Sequence, residues 1–143
     1  MEIVIAIIVG VVIWYVLKAK KAASETSINP NPNNISYTYD IVGEQAYQNN
    51  LKKIAGPKEE ESKFFECYAN VSSDPFNQYD KNAIKVEING LTVGYISKVE
   101  AAKLAGRVIN KTVPAVIDGG WLDDDGEGSY GVKLAITNTN NLL

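Results

Sequence analysis

The chain has 143 residues and no histidine, a single cysteine (Cys67) and a single arginine (Arg107). One thiol cannot close an intrachain disulfide, and without histidine no zinc site of cysteine or histidine type assembles within one chain. The residue most often used for proton transfer near neutral pH is therefore missing. No serine sits in a nucleophile-elbow setting, and no motif sets a pair of carboxylates. The chain reads as a binding module, not an enzyme, with no catalytic residue and no cofactor. Positive charge is also scarce: the net charge is −3, and from Ile28 onward eleven bases face fifteen acids. A broad basic face for non-specific adhesion to nucleic acid is excluded, so any such contact must be small and local.

Two apparent site signals are bland on inspection. Asp123-Asp124-Asp125-Gly126-Glu127 looks like a calcium loop. An EF-hand loop, however, would place its first ligand five residues before the glycine, at Trp121, so the run reads as a flexible acidic loop without metal. Gly119-Gly120 is not followed by the Gly-Lys-Ser/Thr of a phosphate loop. Trp121 reads as a core or rim aromatic. Cys67 lies in the apolar run Phe64–Val71, which suits a buried thiol.

What is present suggests one compact domain with an appendage. Hydrophobic residues make up 45% of the chain and charged ones 22%, a globular balance. Ile3–Leu17 is an uncharged run dominated by Ile and Val, about 22 Å long as a helix. Residues 1–21 are expected to form a single transmembrane helix that reaches the bilayer through residues 3–17. Trp14-Tyr15 would sit at the interface, with Lys18, Lys20 and Lys21 snorkelling beyond it. A signal peptide is the competing reading, but Glu2 precedes the apolar run and the lysines follow it. The lysines place the domain on the cytoplasmic side. Residues 22–35, with two Asn-Pro pairs, read as a flexible linker. The domain is expected over 36–138, with a disordered tail at 139–143.

Within the domain the patterning predicts six short strands and two helices, a mainly β (α+β) fold. Strands are expected at Ser36–Val42, Phe64–Val71, Ala83–Ile88, Thr92–Ser97, Thr112–Ile117 and Gly131–Thr137. A helix is expected at Ala46–Ala55, stopped by Gly56-Pro57, and another at Val99–Ile109, with Val99, Ala102, Leu104 or Ala105, and Val108 on its apolar face. Lys58–Ser62 reads as a solvated charged turn, and Asp118–Tyr130 as a loop.

The most informative stretch is Asn77-Gln78-Tyr79-Asp80-Lys81-Asn82-Ala83-Ile84-Lys85-Val86, followed by Asn89-Gly90 and Val93-Gly94-Tyr95-Ile96-Ser97. Ile84, Val86 and Ile88 alternate with Ala83, Lys85 and Glu87, and Asn-Gly tolerates the positive φ of a two-residue hairpin. This order of loop, strand, Asn-Gly turn, strand and helix resembles the HIRAN domain, whose core reads roughly NPYD-x-NAI-x-V, hairpin, VGY(I/L). Ile41-Val42-Gly43-Glu44-Gln45-Ala46-Tyr47-Gln48 is similar to the family's opening block. The resemblance implies a small OB-like six-stranded barrel that binds single-stranded DNA and preferentially holds its 3′ end.

The matching positions are Tyr47, Tyr79, Asp80 and Lys98, with Asn77, Asn82 and Tyr95 on the rim. The resemblance assigns stacking to the tyrosines, the 3′-hydroxyl to the aspartate and phosphate to the lysine. Stacking is worth roughly 1–3 kcal/mol per base and is indifferent to sequence.

The chain also departs from the pattern. Gln45 and Ala46 stand where DNA-binding members carry an arginine and a first tyrosine. Gln78 replaces the usual proline, and Tyr95 replaces a histidine. Other roles remain open for these residues: Tyr79 packing its loop, Asp80 accepting backbone N–H groups in a turn, Tyr47 in the core, and Lys98 as a solvated helix charge. A protein-interaction module that has lost DNA binding is the alternative function.

Overall fold

A computed structural model describes residues 35–143. The expected anchor (1–21) and nearly all of the expected linker (22–35) lie outside the described residues. Among the described residues no helix is long and apolar enough to cross a membrane.

The hairpin predicted from Asn89-Gly90 forms one edge of the sheet. Strand β3 (Ile84–Ile88) buries Ile84, Val86 and Ile88, and β4 (Leu91–Tyr95) returns antiparallel to it. Asn89 and Gly90 have φ of 53° and 77°, both positive as this turn requires. The two longest strands are β2 (Lys63–Ser73) and β5 (Asn110–Gly119). They pair antiparallel along their lengths, from Lys63 opposite Gly119 to Ser72 opposite Asn110. With β1 (Tyr39–Asp40) and β8 (Tyr130–Leu134) they complete a six-stranded antiparallel sheet in the order β1-β8-β5-β2-β3-β4. Two further short strands, β6 (Leu122–Asp123) and β7 (Gly126–Glu127), form a separate hairpin inside the segment expected to be loop.

The sheet curls into a half-barrel, and the chain just beyond β1 reaches its far edge. Val42 and Tyr95 exchange two backbone hydrogen bonds of 2.8 Å each. That crossing accounts for the glycine of Val93-Gly94-Tyr95. A Cβ on Gly94 would lie 2.6 Å from the Val42 carbonyl oxygen and 2.7 Å from Ile41 Cδ1. Between Val86 and Glu87 the β3–β4 register shifts, a bulge that bends the strand pair towards closure.

Helix α1 (Gln48–Ala55) follows a 3-10 turn at Glu44–Tyr47 and seats Leu51 in the core. Its polar side chains act as fasteners. The Gln48 amide donates to the Tyr130 carbonyl at 2.9 Å and accepts from the Tyr130 N–H at 2.9 Å, and Asn50 donates to the Thr92 carbonyl at 2.8 Å. Gly56, at φ 92°, ends the helix as the sequence indicates.

Helix α2 is shorter than its periodicity suggests. It runs only over Lys98–Lys103, capped by the Ser97 hydroxyl. Ala101 and Leu104 are buried while Val99, Ala102 and Val108 are exposed, so of the expected apolar face only Leu104 reaches the core. Gly106, at φ 83°, turns the chain out of the helix so that Ile109 can enter the core.

The tail also differs from expectation. Thr139–Leu142 is a 3-10 turn held by a reciprocal cap between Asn138 and Asn141, and Leu142 joins the hydrophobic core. Four consecutive polar residues resemble a frayed end, but here their amides satisfy the backbone and a single leucine anchors them. Lys58–Ser62 is likewise tied down. The Glu59 carbonyl accepts from the Leu122 N–H at 2.7 Å, and Lys58 pairs with Glu127 at 3.2 Å.

Candidate functional site

The segment between β2 and β3 contains no glycine and is shaped by its own carboxylates and amides. Asn77 Oδ1 accepts from the backbone N–H of Tyr79 at 2.9 Å and of Asp80 at 3.1 Å. Asp80 Oδ1 accepts from the Asn82 N–H at 2.9 Å. The Asp74 N–H donates to the Ala83 carbonyl at 2.8 Å, closing the base of the loop. These are Asx turns, in which a short polar side chain stands in for a backbone partner.

The turn-forming role considered for Asp80 is thus observed. It engages one of the two carboxylate oxygens, and an ionised carboxylate has about four acceptor directions. The turn fixes the carboxylate and leaves it able to accept a further hydrogen bond.

This loop forms one wall of a cleft of about 270 Å³. Asn77, Tyr79 and Asp80 come from the loop, Tyr95 from the end of β4, and Lys98 from the first turn of α2. Val42, Ala83 and Ile96 supply apolar lining. The Tyr79 side chain is 87% exposed, so the loop does not use its ring for packing. Lys98 is exposed as well.

Tyr47 is not part of the lining, but its ring stands 6.3 Å from that of Tyr95, tilted by 48°. Burial, reinforced by the neighbouring Tyr47 hydroxyl, pushes the Tyr95 hydroxyl up to about 12, so the Tyr95 phenol is a neutral donor at physiological pH. Asn82 faces elsewhere, lining a second and larger cleft together with Lys81.

Sequence reasoning passed over the apolar lining and one exposed ring. Phe76, two residues before the Gln78-Tyr79 pair, is 96% exposed. Its signal was present: an aromatic in a polar loop has nothing local to pack against.

Other sequence features resolve structurally. Cys67 is partly buried against the core, and burial raises its thiol to about 11. The acidic run turns the β6–β7 hairpin, with Asp123 Oδ1 accepting from the N–H groups of Asp125 and Gly126. Among the described residues no group of three or more carboxylate or cysteine side chains could hold a metal. No family model, curated protein or solved structure matches the chain.

Proposed function

We propose that the cleft between the 74–83 loop and α2 holds the 3′ end of single-stranded DNA. The supporting observation is the convergence of Tyr79, Asp80 and Lys98, from separate elements, on one small cleft with apolar lining. An exposed ring offers a stacking platform that does not discriminate between bases. A carboxylate with free acceptor directions can take the donor hydrogen of a terminal hydroxyl, which an internal phosphodiester lacks. A lysine beside them neutralises phosphate. On this reading the half-barrel is a HIRAN-like, OB-like barrel, tethered by an N-terminal membrane anchor to the cytoplasmic face. A reporter fused after Leu143 that is active outside the cytoplasm would defeat the tethering part.

The test uses the full chain in mild detergent and short single strands ending in a 3′-hydroxyl or a 3′-phosphate. Tyr79→Ala weakens binding by roughly 1–3 kcal/mol. Asp80→Ala removes the preference for the free hydroxyl while leaving some binding. Lys98→Ala lowers affinity for both ends and flattens the salt dependence. Thermal melting checks that each variant stays folded. No binding to any 3′-ended strand at low salt would defeat the reading.

A second reading, a protein-interaction module, draws on a different surface. Phe64 and Tyr68 are exposed on the face of β2 opposite the core. Tyr37 packs edge-on against Phe64 with ring centroids 6.0 Å apart, and its hydroxyl donates to Glu66. An aromatic, acidic face of this kind suits a protein better than a phosphate backbone.

A further inference from the structure

The 74–83 loop is a ridge with a cleft on each side. The second cleft, of about 680 Å³, lies between this ridge, the end of β2 and the Leu104–Asn110 segment. The two clefts divide the loop residues between them. Asn77, Tyr79 and Asp80 line the first, Pro75, Lys81 and Asn82 line the second, and Ala83 lines both. Phe76, between Pro75 and Asn77, lines neither and leaves its ring almost fully in water.

The chemistry of the second cleft runs against the balance of the chain. It is lined by Lys81 and Arg107, the only arginine, together with amides and hydroxyls from Asn70, Ser72 and Asn110. No carboxylate belongs to its lining, although acids outnumber bases in the sequence. Among the described residues neither Lys81 nor Arg107 has an acidic partner within ion-pair distance. Gly106, with φ 83°, turns the chain just before Arg107. Two unpaired cations amid neutral hydrogen-bonding groups suit a phosphodiester: the guanidinium and ammonium meet the charge, and the amides meet sugar and phosphate oxygens.

We infer that the second cleft carries the phosphate backbone of the strand whose end occupies the first, with Phe76 stacking a base where the strand crosses the ridge. The inference rests on the end-holding reading and extends it. The site becomes a path over two clefts, and its occupant a single strand several nucleotides long, not a nucleotide or a dinucleotide.

The experiment compares a dinucleotide with a hexanucleotide, both ending in a 3′-hydroxyl, on the full chain in mild detergent. The variants are Phe76→Ala and the double substitution Lys81→Gln with Arg107→Gln. Inorganic pyrophosphate is titrated in parallel. The wild type is expected to hold the hexanucleotide roughly tenfold or more tightly than the dinucleotide, as one stacked base and two phosphate contacts would contribute. The double variant is expected to remove most of that advantage without changing dinucleotide affinity. It should also reduce the hexanucleotide salt slope by about 1.4, at about 0.7 per phosphate contact on a single strand. Phe76→Ala should reduce the advantage without altering the slope.

If both lengths bind alike, or the double variant changes nothing, the path is wrong and the end-holding reading stands. If no strand of either length binds, both fall. If pyrophosphate binds and the double variant abolishes that binding while length has no effect, the second cleft is a small-phosphate site and the path is overturned.

Discussion

Two polar loops of this protein have similar composition and opposite construction. The 74–83 loop and the 119–130 loop both carry aspartates and aromatic rings, and both use Asx turns. In the 119–130 loop one ring, Tyr130, is enclosed and the other, Trp121, is half-buried. Tyr130 is 3% exposed and donates its hydroxyl to the Gly56 carbonyl at 2.6 Å. Its neighbours are glycines because nothing larger fits: a Cβ on Gly120 would come within 2.4 Å of the Tyr130 ring, and one on Gly128 within 2.1 Å of Trp121 Nε1. In the 74–83 loop there is no glycine and no enclosure, and Phe76 and Tyr79 project into solvent from a backbone held by amides and carboxylates. One loop closes the structure, while the other holds two rings outward that the fold does not require. An uncovered ring on a well-ordered loop is a stronger pointer to binding than a ring in a polar sequence, because its exposure carries a hydrophobic cost.

The contrast is most exposed to test at Gly120. Gly120→Ala adds a Cβ at φ 63° against an enclosed ring, and we expect a loss of roughly 2–5 kcal/mol by denaturant unfolding, combining the left-handed penalty with overpacking. Gly90→Ala is the control. It has a similar φ of 77° but open space, so it should cost only about 1–2 kcal/mol. Equal losses would mean that the ring is not enclosed.

A smaller effect is expected at Asn77. Asn77→Ala removes the acceptor for the N–H groups of Tyr79 and Asp80 and should cost about 1 kcal/mol of stability. Hydrogen exchange should speed up at those amides and not in the 119–130 loop. Exchange rising equally in both loops would show that they are not independent.

The smallest effect is alkaline. Burial raises the hydroxyl pKa of Tyr130 in the enclosed loop and, to about 12, that of Tyr95 in the cleft wall. The folded state therefore keeps these protons where the unfolded chain releases them. Stability from this source is full below about pH 10, the unfolded value for tyrosine, and declines as pH rises towards 12. Ultraviolet titration of tyrosinate alongside unfolding should show the two together; stability constant to pH 12 would refute the burial of these phenols.

Much of the sheet was legible because it is local. The alternation of Ile84, Val86 and Ile88, the Asn89-Gly90 turn and the Gly56 stop each depend on a few adjacent residues, and each appears as read. Helix α2 was overread because only Leu104 of the expected face, with Ala101 beside it, meets the core while Val99 and Val108 do not, and side-chain size alone does not reveal which positions have a partner. The tail was underread because a run of asparagines looks the same whether its amides face water or cap one another.

At the candidate site, the residue types and the loop that presents them could be read from the chain. Asn77, Tyr79 and Asp80 are neighbours, and their Asx turns are short-range. By itself the sequence determined the hairpin, the helix stop and the polar loop that carries the exposed rings. The tertiary structure alone decided that Lys98 and Tyr95 would stand opposite Tyr79 and Asp80, that Lys81 and Asn82 would turn to the other side of the ridge with Arg107, and that Val42 would cross at Gly94. The physical reason is distance along the chain. Turns and alternation are set by the covalent geometry of adjacent residues, whereas a cleft exists only after hydrophobic burial has curled the sheet and brought remote segments together.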